Sequence, residues 1–374
     1  MSAFNVRNKW GPLEVVVLGN NYNADFFKGI KNKNIRSALQ LIADETLEDL
    51  EYYKQKLTEH GIQVLQVEPD RQDSIMNYIN AEGQIVGSWN YEIGPSLPVG
   101  PLEPRNYYFV MNQHLFQTHT GPDTIKATIN NYSTENQVRL VDNAYAAPNY
   151  TVVNNDLLID TDHGEEMHPW FAKKIHEDVE DYNKDAKLTK FSVLKHKARK
   201  RWQIIHDKNM KTIKKYYPDQ NIIRIDEGGH SDGVFHTIAP GVMLSIMNVD
   251  THKQHFPDWD VLYLPDESWE KVDPWLFQKN KIAKSYWVPG QEDNDEFHHF
   301  VKTWLSDWVG YCTESVFDVN VLVLDPHTVC INNKNPQVIE FLKKHKIDYI
   351  HIPWRHRYFW DGGLHCITLD LKRR

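Results

Sequence analysis

The most reactive arrangement in this sequence is a cysteine preceded by two glycines and a histidine. Asp361-Gly362-Gly363-Leu364-His365-Cys366-Ile367-Thr368 follows the aromatic run Tyr358-Phe359-Trp360. Glycines before a thiol let a substrate approach both the backbone and the sulfur. A cysteine thiol has a pKa of about 8.5 and attacks as its thiolate, which a nearby imidazolium or substrate cation favours. The residues alone leave a second reading open, in which Cys366 is a small apolar core residue. A second candidate is Gly228-Gly229-His230-Ser231-Asp232-Gly233-Val234-Phe235. On an extended segment His230 and Asp232 would share one face. There a histidine can act as a general acid or base and a carboxylate can receive a cation.

Other patterns do not lead to chemistry. In His163-Gly164-Glu165-Glu166-Met167-His168 the histidines stand five apart, whereas a helical zinc pair needs four. There is no CxxC pair, no GxxxxGK[ST] phosphate loop and no GxGxxG after a strand. His298-His299 and the scattered remaining histidines read as surface residues.

These residues must be held by short apolar strands, and the expected strands are Leu13–Leu18, Tyr107–Val110, Leu157–Ile159, Val242–Ser245, Val261–Leu264 and Val319–Leu324. Between Thr46 and His60, Leu47, Leu50 and Leu57 recur at helical spacing, Gly61 stops the helix, and Ile62–Val67 follows as a strand. The same order returns at Asn335-Pro336, with Val338, Ile339, Phe341 and Leu342 on a helix and Ile347–Ile352 as the strand. The alternation means α/β and hints at a repeated module, although a doubly wound sheet would suit the pattern too.

The chain has 374 residues, 41% hydrophobic and 25% charged, which suits a folded globular protein rather than a disordered one. A net charge of −9 argues against a surface built to coat nucleic acid or an anionic membrane. Three cysteines are too few for a disulfide framework, so a reducing cytoplasm is the expected location. The first residues lack a signal-peptide apolar run, and no window is long and apolar enough to span a membrane. Twelve basic residues between Lys184 and Lys215, facing only Asp185 and Asp207, mark a basic insertion at about 180–220. It reads as a solvated helical face, or as an arm for a polyanion or acidic partner; Trp202 alone is no stacking platform.

Three segments taken in order resemble the glycine (arginine) amidinotransferase family, within the pentein superfamily of enzymes that modify guanidino groups. They are Trp10-Gly11-Pro12-Leu13-Glu14 with its strand to Gly19, His230-x-Asp232 with Phe235 and Ala239-Pro240-Gly241-Val242-Met243-Leu244-Ser245, and Gly362-Gly363-Leu364-His365-Cys366-Ile367-Thr368. The resemblance runs from about Lys9 to the C-terminus and is weakest between Asp162 and Asp226. It implies a single catalytic domain over residues 1–374, folded as a five-bladed pseudo-symmetric α/β propeller of ββαβ modules. Five modules allow about 75 residues each, and the basic insertion absorbs the surplus.

By the same resemblance, Cys366 attacks the guanidinium carbon of arginine and an amidino-cysteine passes its group to an amine such as glycine. His230 would move the protons and Asp232 would hold the guanidinium. The resemblance implies no cofactor and no metal. The expected partners are small molecules, arginine and an amine acceptor, with neither membrane nor nucleic acid among them; a homodimer is compatible with this reading. The sequence departs from the family at three places. Asn106, in Pro104-Arg105-Asn106-Tyr107, stands where the family has a guanidinium-binding aspartate, at a cost of about 1.5–3 kcal/mol if that charged contact is lost. Ala146 falls at or near the family's histidine-orienting aspartate, leaving Asp142, Asn149 or Glu227 as substitutes. No cation occurs in Ile246-Met247-Asn248-Val249-Asp250, where the family has an arginine for the donor carboxylate. A guanidine hydrolase, with water as the acceptor, and a non-catalytic binding homologue are therefore the rival readings.

Overall fold

A computed structural model describes residues 2–69, 88–90, 94–96, 100–140, 146–160, 204–225, 230–246, 254–264, 291, 294–305, 317–360 and 362–374. Among these residues the fold is α/β, with five three-stranded mixed sheets that share one strand order. In each, the middle strand pairs antiparallel on one side and parallel on the other.

The first sheet sets β1 (Leu13–Leu18) between β17 (Thr368–Arg373), antiparallel, and β2 (Gln63–Gln66), parallel. A separate hairpin pairs β3 (Ser88–Asn90) with β4 (Gly94–Ser96). The second three-stranded sheet contains β5 (Tyr108–Met111), β6 (His114–Gln117) and β7 (Gln137–Arg139). The third contains β8 (Tyr150–Val153), β9 (Asp156–Asp160) and β10 (Asn221–Ile225). The fourth contains β11 (Phe235–Ala239), β12 (Val242–Ser245) and β13 (Asp260–Tyr263), and the fifth β14 (Leu322–Asp325), β15 (Thr328–Ile331) and β16 (Asp348–His351).

Local sequence explains these units. Tight two-residue connections join the antiparallel pairs β5–β6, β8–β9, β11–β12 and β14–β15, and Asn112, Asn154 and Gly241 supply the positive φ (50°, 54° and 79°) that three of these hairpins use. A parallel neighbour cannot be reached by a tight turn, so the chain crosses over through a helix. α1 (Lys33–Glu59) joins β1 to β2, α2 (Asp123–Tyr132) joins β6 to β7, and helix 204–216, here α3, joins β9 to β10. Two one-turn helices, α4 (Ser231–Val234) and α7 (Arg357–Trp360), precede β11 and β17, while α5 (Asp295–Trp304) packs on α1 and α6 (Pro336–Lys344) joins β15 to β16.

The strand period builds the core. Val16 and Leu18 of β1 enter one apolar cluster with Leu39, Ile42, Leu50 and Trp354, while Val15 and Val17 enter another with Tyr108, Val110, Leu369 and Leu371. Fully burying one such aliphatic side chain contributes about 1.5–3 kcal/mol, so a central strand buried on both faces is a strong anchor. No helix among the described residues is long and apolar enough to cross a membrane.

Two expectations change. The first long helix begins at Lys33 rather than near Thr46, because Asn32 caps it by accepting from the Asn34 and Ile35 amides. The described strands do not form one doubly wound sheet; they divide into small separate sheets. Most of the basic insertion, the segment His163–His168, and residues Cys312, Asp142, Glu227 and Val249 lie outside the described residues.

Candidate active site

The residues singled out in the sequence sit in segments that lead into the first strand of each sheet. Cys366 precedes β17, Asn106 lies in the turn Pro104–Asn106 before β5, and Asn149 lies in the turn Ala147–Asn149 before β8. His230 and Asp232 precede β11. The segment before β14 adds Asn320, which the sequence reading did not single out. These five segments touch in cyclic order. Arg105 donates to the His365 carbonyl at 2.9 Å, the turn 104–106 packs on the turn 147–149, and that turn packs on α4. Asn320 then joins α4 to the Cys366 segment.

Asn320 is fully buried and uses its whole hydrogen-bonding capacity. Its Oδ1 accepts from the backbone amides of His365 at 2.9 Å and Cys366 at 3.0 Å. Its Nδ2 donates to the Asp232 carbonyl at 3.1 Å and to Cys366 Sγ at 3.0 Å. A donor aimed at the sulfur favours the thiolate. This clamp also explains half of the glycine pair, because a Cβ on Gly363 would lie 2.6 Å from Asn320 Cβ and 2.7 Å from its Oδ1. A Cβ on Gly362 would lie 2.3 Å from Glu103 Oε1 and 3.3 Å from Cys366 Cβ. The two glycines thus make room for side chains from two other sheets, rather than only for a substrate.

Asp232 stands beside the thiol. Its Oδ2 lies 3.6 Å from Cys366 Sγ and 2.7 Å from His365 Nδ1. Burial, with Arg105 and Lys9 nearby, pushes the His365 pKa well below the ordinary histidine range. Neutral His365 carries one proton, and a carboxylate only accepts, so that proton belongs on Nδ1. The buried Asp232 Oδ1 has no hydrogen-bond partner among the described residues. His236 packs edge-on to His365 at 4.5 Å between centroids, and burial together with Lys9 and Arg105 holds its pKa well below the usual value as well.

The site rests on a buried ion cluster. Arg105 Nη2 and Arg373 Nε reach the two oxygens of Asp370, each at 2.7 Å. Burial alone would raise Asp370, but Arg373, Arg105 and Lys9 hold its carboxyl far below the usual carboxylate range. Lys9, also buried, is pushed down to about 7 by burial and by Arg105.

The structure brings Cys366 and Asp232 together and treats the other expected residues differently. His230 lies at the start of α4, two residues before Asp232. The segment is a turn of helix there, so the expectation that an extended backbone puts both on one face does not hold. Burial lowers the His230 pKa, against the raising effect of Asp232. Asn106 donates through Nδ2 to Glu103 Oε2 at 2.5 Å. Asn149 is buried and donates to the Asp160 carbonyl at 3.1 Å, an anchor to β9. Ala146 only opens the turn that holds Asn149. Asn320 had a signal in the sequence, a polar residue inside the apolar run Val319–Leu324; Glu103 had none beyond its nearness to Asn106.

No family model matches the sequence. Over 68 residues the chain is 31% identical to inosamine-phosphate amidinotransferase 1 of Streptomyces glaucescens, a match that spans 18% of this chain and only 17% of that relative. The whole chain superposes on the inosamine-phosphate amidinotransferase StrB1 of Streptomyces griseus with a TM-score of 0.56 and 15% identity, covering 97% of that structure. It also superposes along its whole length on SxtG, an amidinotransferase of Microseira wollei in the saxitoxin biosynthetic pathway, with a TM-score of 0.57 and 15% identity over 98% of that chain. The chain thus shares its fold with these two amidinotransferases, enzymes of the kind its motifs resemble.

Proposed function

We propose that this protein transfers an amidino group from a guanidine donor, arginine or a related compound, to an amine such as glycine, through an amidino-cysteine on Cys366. The observation that carries the reading is the thiol held by Asn320 Nδ2 at 3.0 Å with Asp232 Oδ2 at 3.6 Å. A lone core cysteine needs neither neighbour. The cyclic contact of the five segments supports one catalytic domain whose sheets stand as five blades of a propeller around the site.

In this mechanism the Cys366 thiolate attacks the guanidinium carbon and forms a C–S bond. Asp232 holds the cation through Oδ1, and its charge, neutralised by substrate, no longer opposes thiolate formation. The C–N bond to the departing amine breaks as His230 gives that nitrogen a proton. An incoming amine then attacks the amidino carbon, returns a proton to His230, and expels the thiolate. Arginine and glycine would give ornithine and guanidinoacetate. Two half-reactions through a covalent intermediate produce ping-pong kinetics. A reducing compartment suits a thiol nucleophile.

The test is mass spectrometry of products after incubation with arginine and a panel of amines that includes glycine. Ornithine with an amidinated amine, lost in Cys366→Ala, is the expected result. Citrulline in the absence of any amine would instead make water the acceptor and the protein a hydrolase. Turnover that survives Cys366→Ala, or no turnover of any guanidine, would overturn the reading.

A further inference from the structure

We infer that Glu103 is a substrate-binding carboxylate of this site, gripping the guanidine or amidine group on the side where the family's aspartate is replaced by Asn106. The inference rests on the amidino-transfer reading. Three observations carry it. Glu103 Oε1 lies 2.3 Å from where a Cβ on Gly362 would sit, and that same position is 3.3 Å from Cys366 Cβ, so Gly362 leaves the carboxylate and the nucleophile's side chain as neighbours across one small gap. Its other oxygen, Oε2, accepts from Asn106 Nδ2, which fixes the carboxylate from behind. Asp232, whose Oδ2 lies 3.6 Å from the thiol, presents a second buried oxygen, Oδ1, without a hydrogen-bond partner among the described residues. A guanidinium is a flat cation with N–H donors along its edges, and carboxylates on two edges hold its plane while leaving its face open to sulfur.

The arrangement gives Asn106 a reason to be an amide. An aspartate there would set a second carboxylate at hydrogen-bonding distance from Glu103, and two like charges so close cannot both ionise freely. The carboxamide supplies the donor that Glu103 needs. The departure at position 106 is then a relocation of charge from one residue to another in the same turn, with the cation-binding capacity kept. Glu103 opens the turn Pro104–Asn106 that also positions Arg105 beneath His365, so the placement of the carboxylate is tied to the backbone of the nucleophile segment.

The experiment compares the wild-type protein with Glu103→Gln and Asn106→Asp. Arginine, agmatine and guanidinoacetate serve as probes, and two readouts are taken: KM and kcat, and the mass of the Cys366 peptide. With the guanidine that modifies Cys366 in the wild type, Glu103→Gln is expected to raise KM about tenfold to a hundredfold, the loss of one charge-assisted contact. Asn106→Asp is expected to lower kcat/KM as well. Calorimetric titration of the same guanidine into Cys366→Ala, with and without Glu103→Gln, should show the loss in binding alone, and matching thermal unfolding would exclude a folding defect. Wild-type affinity in Glu103→Gln, or higher activity in Asn106→Asp, would overturn the assignment while leaving the transfer reading intact. Failure of every guanidine to modify wild-type Cys366 would overturn the transfer reading, and this inference with it.

Discussion

Asn320 is the side chain placed to set the reactivity of Cys366, because one amide accepts from the His365 and Cys366 backbone amides and donates to the sulfur itself. Replacing it with aspartate keeps an acceptor for the His365 and Cys366 amides but removes the donor to Sγ and adds a negative charge. A hydrogen bond to a charged group is worth about 1.5–3 kcal/mol, or about one to two pKa units at 1.36 kcal/mol each. In Asn320→Asp the Cys366 thiol should therefore titrate at least one unit higher, and its alkylation by iodoacetamide at pH 7 should slow about tenfold or more. Peptide mapping separates Cys366 from the buried Cys330. An unchanged alkylation profile would mean that the contact at 3.0 Å does not set the thiol's reactivity. Cys366 and Asp232 were legible as residue types in short motifs. Asn320 showed only as a polar residue inside the apolar run Val319–Leu324 and Glu103 only through its nearness to Asn106, since each meets the Cys366 segment from another sheet and sequence spacing carries no trace of that meeting.

Among the elements, helix caps illustrate the difference between stability and positioning. Asn335 accepts from the Gln337 amide at the start of α6 and is fully buried; its Nδ2 donates to Asp318 at 2.8 Å, two residues before Asn320. Asn32 caps α1 in the same way, but its second bond reaches Glu296 at the surface. Alanine at either cap should cost about 1 kcal/mol for the cap itself. Asn335→Ala should cost about 1 kcal/mol more for the buried side-chain bond, whereas the exposed one at Asn32 adds little. Urea unfolding would read the stability difference. Because only Asn335 braces the loop that carries Asn320, only its alanine variant should also lower kcat, by several-fold. Equal effects of the two variants on kcat would show that α6 does not brace the site. Much of this layer was legible: Asn335-Pro336 opened a helix as read, and Leu13–Leu18 and Val242–Ser245 are strands with the expected bounds. The first half of α1 was hidden because exposed Leu41 and half-buried Ala38 blur the apolar stripe of Ile35, Leu39 and Ile42. Pairing was hidden for another reason, since β17 returns to β1 from the other end of the sequence.

Taken as a whole, the molecule is an acidic chain that encloses a cationic centre. The net charge is −9, yet Arg105, Arg373 and Lys9 gather around Asp370 in the interior. Arg373 ties this cluster to the carbonyls of Gly11 at 2.7 Å and Val323 at 2.8 Å, so it joins the first and fifth sheets. Asp370, even with Asp232 nearby, does not offset the burial of three cations in a medium that charges avoid. The burden falls on Lys9, which burial and Arg105 push down to about 7 from 10.5. In the unfolded chain it stays protonated up to its ordinary pKa. The sign follows from linkage: between pH 7 and 10.5 the unfolded state binds the extra proton, so this residue's destabilising effect shrinks as pH rises, and it is largest at and below pH 7. A neutral side chain of similar shape removes that effect. Lys9→Met should stabilise the protein at pH 6–7 by a few kcal/mol, on the order of the 1.36 kcal/mol per unit that the shift represents. The gain should fade toward pH 10. Unfolding midpoints of the two proteins measured across this range decide the matter. A gain that does not vary with pH would mean that the thioether side chain simply packs better than the amine. A loss at every pH would mean that Asp370 needs three cations, and that the charged amine helps hold the sheets together.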